Sequence, residues 1–234
     1  MRQTIRDFVS LAAATLPIAE PIWEFGALQV PGQEGFADLR SIFPGRQYFG
    51  ADVREGPGVD RVLDLHRIDL PAGSAGTVIC VDTLEHVEYP HRALEEMHRI
   101  LRPDGIVVIS SVMAFAIHDF PQDYWRFTPE GLKSLLKPFA GSFVGFAGDP
   151  GFPHTVVGVG FKGSAPDLSA FSGRFAEWQR KQEPEKPVTP RTQTPEPAPG
   201  RAFRHAVRLV TPPLLHPVLS KLYRATLGRG RRPG

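Results

Sequence analysis

"TVICVDTLEHVEYP", residues 77–90, begins with an apolar run that leads directly into ionisable residues. Residues 78–81 are four consecutive apolar residues, and such a run is typical of a strand buried on both faces, as in parallel sheets covered by helices. Asp82 follows the run at once, and Glu85 and His86 come within the next four positions. The stretch therefore predicts a central parallel strand that ends in ionisable side chains.

On both sides of this strand, strand-like and helix-like patterns alternate through residues 1–163. The predicted strands are 21–27, 47–53, 61–65, 77–83, 105–112, 142–147 and 154–162. The predicted helices are 35–43, one that begins near Pro90, and 128–139 with Thr128 as its N-cap. This alternation predicts a parallel, doubly wound α/β sheet. The sheet is trimmed on one flank, because the segment REGPG is too short for a crossover helix, and the short GDPGFPH connection predicts that the last two strands are antiparallel.

Composition indicates a soluble cytoplasmic protein in a reducing compartment. The chain has 234 residues, 41% of them hydrophobic, and a single cysteine, so one chain can form neither an internal disulfide nor a cysteine zinc site. Its N-terminal apolar stretch is interrupted by Arg6 and Asp7 and is shorter than the roughly 18 residues of a membrane-spanning helix. We therefore expect the first helix to pack on the domain.

The C-terminal third differs in composition from the rest. Residues 164–200 are rich in proline and polar residues, which predicts a disordered, flexible linker. Residues 201–234 contain eight basic residues and no acid, whereas the remainder has 19 basic against 25 acidic residues. Apolar residues recur with helical spacing near 217–228. The sequence therefore predicts a domain over 1–163, a linker, and a basic amphipathic tail.

Four of the predicted strands end with acidic residues. Glu24 lies at the end of the first, and the other three are Asp52, Asp64 and Asp82. The carboxyl ends of the strands form the ligand edge of an open parallel sheet, so these carboxylates are expected to meet there. Several carboxylates suit a ligand with hydroxyls, amine groups and positive charge, because grouping them without a partner is costly. A nucleoside with a cationic tail meets that description.

At this point the sequence resembles the class I S-adenosylmethionine-dependent methyltransferases, in particular the methyltransferase type 11-like subgroup whose fourth strand runs into LEHV. The resemblance covers about residues 18–163. It depends on the ordered segments WEFGA, YFGADVR, VLDL, VICVDTLEHV, EEMHRILRPDG and DYWRFTPEGL. The implied fold is a three-layer, Rossmann-like sheet of seven strands with an antiparallel last strand. The implied cofactor is S-adenosylmethionine.

The resemblance also implies cofactor-binding residues. By position they are Glu24 and Gly26 beside the methionine moiety, Asp52 at the ribose hydroxyls, Asp64 and Leu65 at the adenine, and Asp82 and Thr83 between cofactor and substrate. The first loop departs from the family pattern. It reads EFGALQVPGQEG, in which Gly26 stands alone and Gly32 and Gly35 are displaced, and glycines permit tight turns and close approach to a ligand.

The loop at 114–127 lies after the fifth predicted strand, at the ligand edge, and is long for a compact domain. It supplies His118 as the candidate general base, with His86 as the second candidate. Its candidate substrate-binding residues are Asp119, Tyr124, Trp125 and Arg126. An alternative role for the aromatic residues is to seal the core beneath the loop.

Glu85 and His86 have two alternative roles beside the cofactor. The prediction is that they cap the following helix and fill a polar pocket, with no metal bound. The alternative is a hard-metal site made by Asp82, Glu85, His86 and His118, similar to an acid-x-x-Glu-His arrangement in some ubiquinone-biosynthesis and small-RNA methyltransferases.

The predicted function is methyl transfer from S-adenosylmethionine to a small-molecule or saccharide hydroxyl. The alternative is a methyltransferase-like binding or scaffold protein without catalysis, which docks through its basic tail. A nicotinamide oxidoreductase is disfavoured, because the chain lacks the G-x-G-x-x-G turn. The predicted partners are a small-molecule substrate and, through 201–234, a membrane surface or a protein. A nucleic acid partner is not predicted.

Overall fold

The computed structural model describes residues 2–30, 32, 35–118 and 122–182. Within these residues one mixed sheet contains seven strands: β1 (Ile22–Phe25), β2 (Tyr48–Asp52), β3 (Arg61–Val62), β4 (Ala75–Cys80), β5 (Leu101–Val112), β6 (Gly141–Asp149) and β7 (Phe152–Phe161). Their order is β3-β2-β1-β4-β5-β7-β6. Only β7 pairs antiparallel, with β5 and with β6, so the predicted seven-stranded sheet with an antiparallel last strand is confirmed.

The helices of the described residues cover both faces of the sheet. They are α1 (Gln3–Thr15), α2 (Pro90–Ile100), α3 (Pro129–Leu135) and α4 (Ser169–Lys181), with short 3₁₀ helices at Leu39–Ile42 and Leu84–His86. α1 and α4 lie in one apolar cluster, and α2 and α3 lie in another. None of the described helices is long and apolar enough to cross a bilayer.

Strand β4 shows why the opening apolar run specifies the centre of the sheet. Val78 and Cys80 belong to the cluster beneath α2, and Ile79 and Val81 belong to the cluster beneath α1. Successive side chains of a strand point to opposite faces, so a strand covered on both faces needs an apolar residue at every position. All six residues of β4 are buried between β1 and β5. The predicted central parallel strand is confirmed.

The predicted linker boundary at residue 164 is wrong, because α4 continues the domain. Phe171, Phe175 and Trp178 are buried, and their rings lie 6.5, 6.4 and 5.6 Å from the ring of Phe8 in α1. The three aromatic residues follow the i, i+4, i+7 spacing of one helical face, which the polar and proline-rich surroundings concealed. The same contacts confirm that α1 packs on the domain. Residues 183–234, with the rest of the predicted linker and the whole tail, lie outside the described residues.

Three predicted elements are shorter or different in the structure. The helix predicted at 35–43 is only the 3₁₀ helix Leu39–Ile42, capped by Asp38, whose side chain accepts from the Arg40 backbone N–H. The third strand, predicted over 61–65, has two residues. The turn predicted at 102–105 is a bulge within β5, because five residues along β5 correspond to only two along β4 in the pairing of the two strands. The predicted Thr128 cap is confirmed, since its hydroxyl oxygen accepts from the Gly131 N–H.

Candidate active site

A cavity of about 340 Å³ opens at the carboxyl ends of β1, β2 and β4. Its volume lies in the range of small-molecule sites. The predicted cofactor-binding residues and both predicted catalytic histidines line it, namely Glu24, Gly26, Asp52, Asp64, Leu65, Asp82, Thr83, His86 and His118. The structure therefore brings together residues that are up to 94 positions apart in the sequence. The cause is the parallel topology, which places these strand ends at one edge.

Glu24 is a buried carboxyl group at the base of the cavity. Its side chain sits in β1 with 4% of its surface exposed, and its Oε2 accepts a hydrogen bond of 2.6 Å from the Tyr48 hydroxyl. Burial raises the pKa of Glu24 from 4.5 to about 7, because the low-dielectric surroundings disfavour the charged form. Near neutral pH the carboxyl group is therefore divided between its protonated and ionised forms.

Gly26 forms the turn that follows β1. Its φ of +85° is in the left-handed region, and a Cβ atom added there would lie 2.0 Å from the Thr83 Oγ1. Both conditions require glycine, because a side chain would meet backbone strain and a direct clash. The displaced Gly32 and Gly35 also have positive φ, but an added Cβ would meet nothing within 4 Å. Glycine is therefore required at position 26, where the first loop packs closely against Thr83 in the wall of the cavity.

Asp52 is the last residue of β2 and Asp64 lies two residues after β3, and both carboxylates accept hydrogen bonds from N–H groups. The Asp52 Oδ1 accepts from the Arg54 backbone N–H at 3.0 Å and lies 3.4 Å from the Arg54 Nε, while its Oδ2 takes no hydrogen bond from the described residues. Asp64 Oδ1 accepts from the backbone N–H of His66 at 2.8 Å and contacts its Nδ1 at the same distance. Each carboxylate is thus oriented by its own loop and still lines the cavity.

Asp82 is held in an uncommon backbone conformation directly after β4. Its φ is +45°, and its backbone N–H donates to the carbonyl oxygen and Oγ of Ser110 in β5. A non-glycine residue at positive φ carries local strain, which is found preferentially at functional sites. The carboxylate pairs with Arg2, whose Nη2 lies 3.0 Å from its Oδ1.

Glu85, His86 and His118 form a cluster beside Asp82. One potential ligand atom of each lies within 4.8 Å of the others, so these three residues could hold a metal ion. The Nδ1 of His86 faces the Gln122 carbonyl, which can only accept, so the proton of the neutral ring sits on Nδ1. Burial, with the charge of His118, lowers the pKa of His86. Burial also raises the pKa of Glu85, which accepts from the Ser111 hydroxyl at 2.7 Å.

The loop after β5 is held together by one buried ion pair. Asp123 and Arg126 form two hydrogen bonds of 2.5 and 2.6 Å, and Arg126 also donates to the carbonyls of Phe115 and Ala116. The Arg126 guanidinium lowers the pKa of Asp123 to about 2. Asp123 in turn lies 3.2 Å from the Nδ1 of His118. The ion pair therefore orients one of the two candidate bases.

Three of the predicted substrate-binding residues of this loop, Tyr124, Trp125 and Arg126, do not line the cavity. Tyr124 and Trp125 are 44% and 43% exposed, and the Trp125 Nε1 donates to the Val87 carbonyl. Arg126 is engaged by Asp123 and by loop carbonyls, so its guanidinium organises the loop. Asp119, the fourth, lies outside the described residues. Among the described aromatic residues of the loop, Phe127 is the one buried in the core, as the sealing role requires.

Comparisons with known proteins give a family-model match over part of the chain and superpositions on solved structures. The family model described as "Methyltransferase domain" matches residues 49–109. No curated protein sequence matches the chain. Among solved structures, 1,6-didemethyltoxoflavin-N1-methyltransferase from Burkholderia thailandensis, with bound 1,6-didemethyltoxoflavin and S-adenosylhomocysteine, superposes with a TM-score of 0.55. The alignment has 20% identity and covers 69% of this chain and 79% of that one. The chain therefore has the fold of the class I methyltransferases.

Two further structures show the breadth of proteins that share this fold. A putative methyltransferase in complex with the Trm112 activator of Haloferax volcanii has a TM-score of 0.50 and 16% identity, over 68% of this chain and 90% of that chain. The [4+2]-cyclase SpnF has a TM-score of 0.50 and 14% identity, over 68% and 82%. The matched family model and the S-adenosylhomocysteine-bound structure support S-adenosylmethionine as the cofactor.

The chain also has site residues that the sequence did not indicate. Arg2 lines the cavity and pairs with Asp82, and Asp123 orients His118. Arg2 lies 80 positions from its partner and outside any recognisable motif, so no local pattern could reveal it. Asp123 lies within the predicted loop, but the sequence singled out Asp119, the immediate neighbour of His118, as the acid of functional interest there.

The buried Glu24 predicts a pH-dependent loss of stability. Its folded-state pKa of about 7 exceeds 4.5, so the folded state binds more protons and the free energy of unfolding falls as the pH rises from about 4.5 to about 7. Glu24→Gln should remove this contribution, which amounts to about 3 kcal/mol. Urea unfolding of both proteins at pH 5 and pH 7.5 measures it. Identical pH dependence in wild type and variant would contradict the assignment.

Gly26→Ala is expected to destabilise the protein by about 1–3 kcal/mol, through positive-φ strain and the clash with Thr83. The second substitution Thr83→Ala removes the clashing hydroxyl, so the double variant should regain part of the loss. Thermal denaturation of the single and double variants measures both effects. Gly32→Ala is the matched control for the clash, because it has a similar φ and open space around it. Equal losses in the two glycine variants would show that packing against Thr83 is unimportant.

Proposed function

We propose that this chain transfers the methyl group of S-adenosylmethionine to a hydroxyl of a small molecule or saccharide. The observation that carries the proposal is the cavity, in which the acids at three parallel strand ends converge with two histidines. The Oδ2 of Asp52 is available for ribose hydroxyls, and Asp64 with Leu65 lies beside it in the same wall for the adenine. A sulfonium cofactor fits this donor set, because acids favour a ligand that carries positive charge.

The bound cofactor would supply a methyl group on a positively charged sulfur, ready for in-line displacement. The residues of this chain would align the acceptor hydroxyl and exclude water, which is the main requirement of such a reaction. Phe115, Val112 and Val87 give the cavity an apolar wall on the side of the histidines. This wall would shield the acceptor, and the acids on the opposite strand ends would hold the cofactor.

His118 would accept the proton of the hydroxyl at its Nε2. Its Nδ1 lies 3.2 Å from both the Ala116 carbonyl and the Asp123 carboxylate, so in the neutral ring Nδ1 carries the proton and Nε2 is the basic atom. Asp123 would stabilise the imidazolium that forms. His86 has the same arrangement, with Nδ1 on the Gln122 carbonyl, and its ring centre lies 4.7 Å from that of His118.

Ligand binding followed by methyl transfer tests the proposal. Thermal denaturation is measured with S-adenosylmethionine, S-adenosylhomocysteine and NAD, because a ligand that binds only the folded state raises the Tm. The two adenosyl ligands should raise the Tm and NAD should not. Incubation with methyl-tritiated S-adenosylmethionine and a panel of hydroxylated small molecules and saccharides should then yield a labelled product. Binding without any transfer would favour the scaffold alternative, and no binding of either adenosyl ligand would refute the proposed methyl transfer.

A separate proposal concerns the basic tail, residues 201–234, which lie outside the described residues. Its apolar stripe and eight positive charges favour docking to an anionic membrane surface. Deletion of 201–234 should leave the Tm unchanged and abolish sedimentation with vesicles that contain anionic lipid. The binding of the whole chain should weaken with added salt. A deletion that lowers the Tm by several degrees, with no vesicle binding by the whole chain, would instead place the tail in the fold.

A further inference from the structure

Arg2 and Asp82 form a cation–anion pair in the wall of the cavity. The Arg2 Nη2 donates to Asp82 Oδ1 at 3.0 Å, and Nε donates to Asp82 Oδ2 at 3.4 Å, so the guanidinium meets both carboxylate oxygens. The two side chains are only 19% and 18% exposed, and both residues line the cavity. Partial burial strengthens the electrostatic interactions of each group relative to those in water.

The guanidinium is fixed from three sides. Its Nη1 contacts the Thr155 Oγ1 and the His154 Nδ1 in β7, and its Cζ lies 5.4 Å from the centre of the Phe115 ring. Asp82 is fixed as well, because Ser110 donates its hydroxyl to Oδ1. Ordering these side chains therefore costs little at the moment of ligand binding, which favours affinity.

Both partners keep hydrogen-bonding capacity. The contacts of Arg2 use Nε, both N–H groups of Nη1 and one N–H of Nη2, which leaves the second N–H of Nη2. The Asp82 Oδ2 accepts only the long bond from Nε among the described residues. A ligand that offers an anion to Arg2 and a cation to Asp82 would satisfy both remaining groups. An α-amino acid zwitterion carries those two charges on one carbon atom.

We propose that Arg2 binds the α-carboxylate and Asp82 the α-ammonium of the amino-acid end of the cofactor. The inference rests on the proposed function. It adds a role in cofactor recognition for Arg2, the residue that precedes α1. The position agrees with it, because Thr83, next to Asp82, packs on Gly26 in the turn expected beside the methionine moiety. Arg54, which also lines the cavity, contacts Asp52, the residue proposed for the ribose hydroxyls.

Isothermal titration with two ligands tests the assignment of the carboxylate. The ligands are S-adenosylhomocysteine and its decarboxylated analogue, which keeps the nucleoside and the amine but lacks the carboxylate. For wild type, loss of the carboxylate should weaken binding about 10- to 100-fold, as expected for a charge-assisted hydrogen bond. In Arg2→Ala, S-adenosylhomocysteine should bind as weakly as the analogue, and the affinity for the analogue should stay within about twofold of wild type.

The matched control is Arg46→Ala, which removes a partly exposed arginine that pairs with Glu20 and does not line the cavity. It should leave both affinities unchanged. Equal loss for both ligands in Arg2→Ala would show a merely structural role and overturn the inference. Should Arg2→Ala fail to fold, wild type alone decides, because equal affinity for the two ligands also overturns it. If wild type binds neither ligand, the proposed function itself fails.

Discussion

Asp52→Asn is expected to weaken the binding of S-adenosylhomocysteine about 10- to 100-fold. The carboxylate would accept the ribose hydroxyls, and a hydrogen bond to a charged group contributes about 1.5–3 kcal/mol. Asparagine keeps an oxygen for the Arg54 backbone N–H, so the turn after β2 should retain its shape. Isothermal titration gives the change in Kd directly. Asp52→Ala should also remove most of the rise in Tm that the ligand produces.

Asp104→Asn is the control for this loss of charge. Asp104 is exposed in the bulge at the start of β5 and does not line the cavity, so its substitution should leave the Kd within twofold of wild type. If Asp52→Asn binds S-adenosylhomocysteine as tightly as wild type, the ribose assignment is wrong. In that case the carboxylate of Asp52 serves the turn alone.

Ending the chain at residue 163 is expected to lower the free energy of unfolding by several kcal/mol relative to a chain that ends at 182. The shorter chain lacks α4 and with it three buried aromatic side chains, each of which stabilises the fold by about 1.5–3 kcal/mol. It also uncovers Phe8 and Phe143, which pack against α4. Urea unfolding followed by far-ultraviolet circular dichroism compares the two chains.

A single substitution in the full chain separates packing from truncation. Phe171 is 1% exposed, so Phe171→Ala should cost about 3–5 kcal/mol. Phe152, at the start of β7, is 52% exposed, and Phe152→Ala should change stability by about 0.5 kcal/mol or less. Equal stability of the chains ending at 163 and 182 would mean that α4 does not belong to the folded domain.

The strands and the acids that follow them could be predicted because their signals are local. A continuous apolar run such as residues 78–81 predicts a strand buried on both faces without any knowledge of its neighbours in space. The rule that ligands bind at the carboxyl ends of parallel strands likewise needs no knowledge of side-chain contacts. The cofactor-binding candidates therefore came from the sequence and its family resemblance, and the structure brings them to one cavity. The helix α4 was missed because its three aromatic residues are spread over about two turns of otherwise mostly polar sequence.

The sequence by itself determined the succession of strands along the chain, the central place of β4 and the acids at the ligand edge. Only the tertiary structure decided which side chains complete the site. Arg2 pairs with Asp82, which lies 80 residues away in the sequence. Asp123, and not one of its neighbours, contacts His118, while Arg126 donates to the carbonyl groups of its own loop. The physical reason is that charge pairs and hydrogen bonds depend on distances of a few ångströms between side chains. Those distances are set when α1, β5 and β7 pack together, and periodicity along the chain does not encode them.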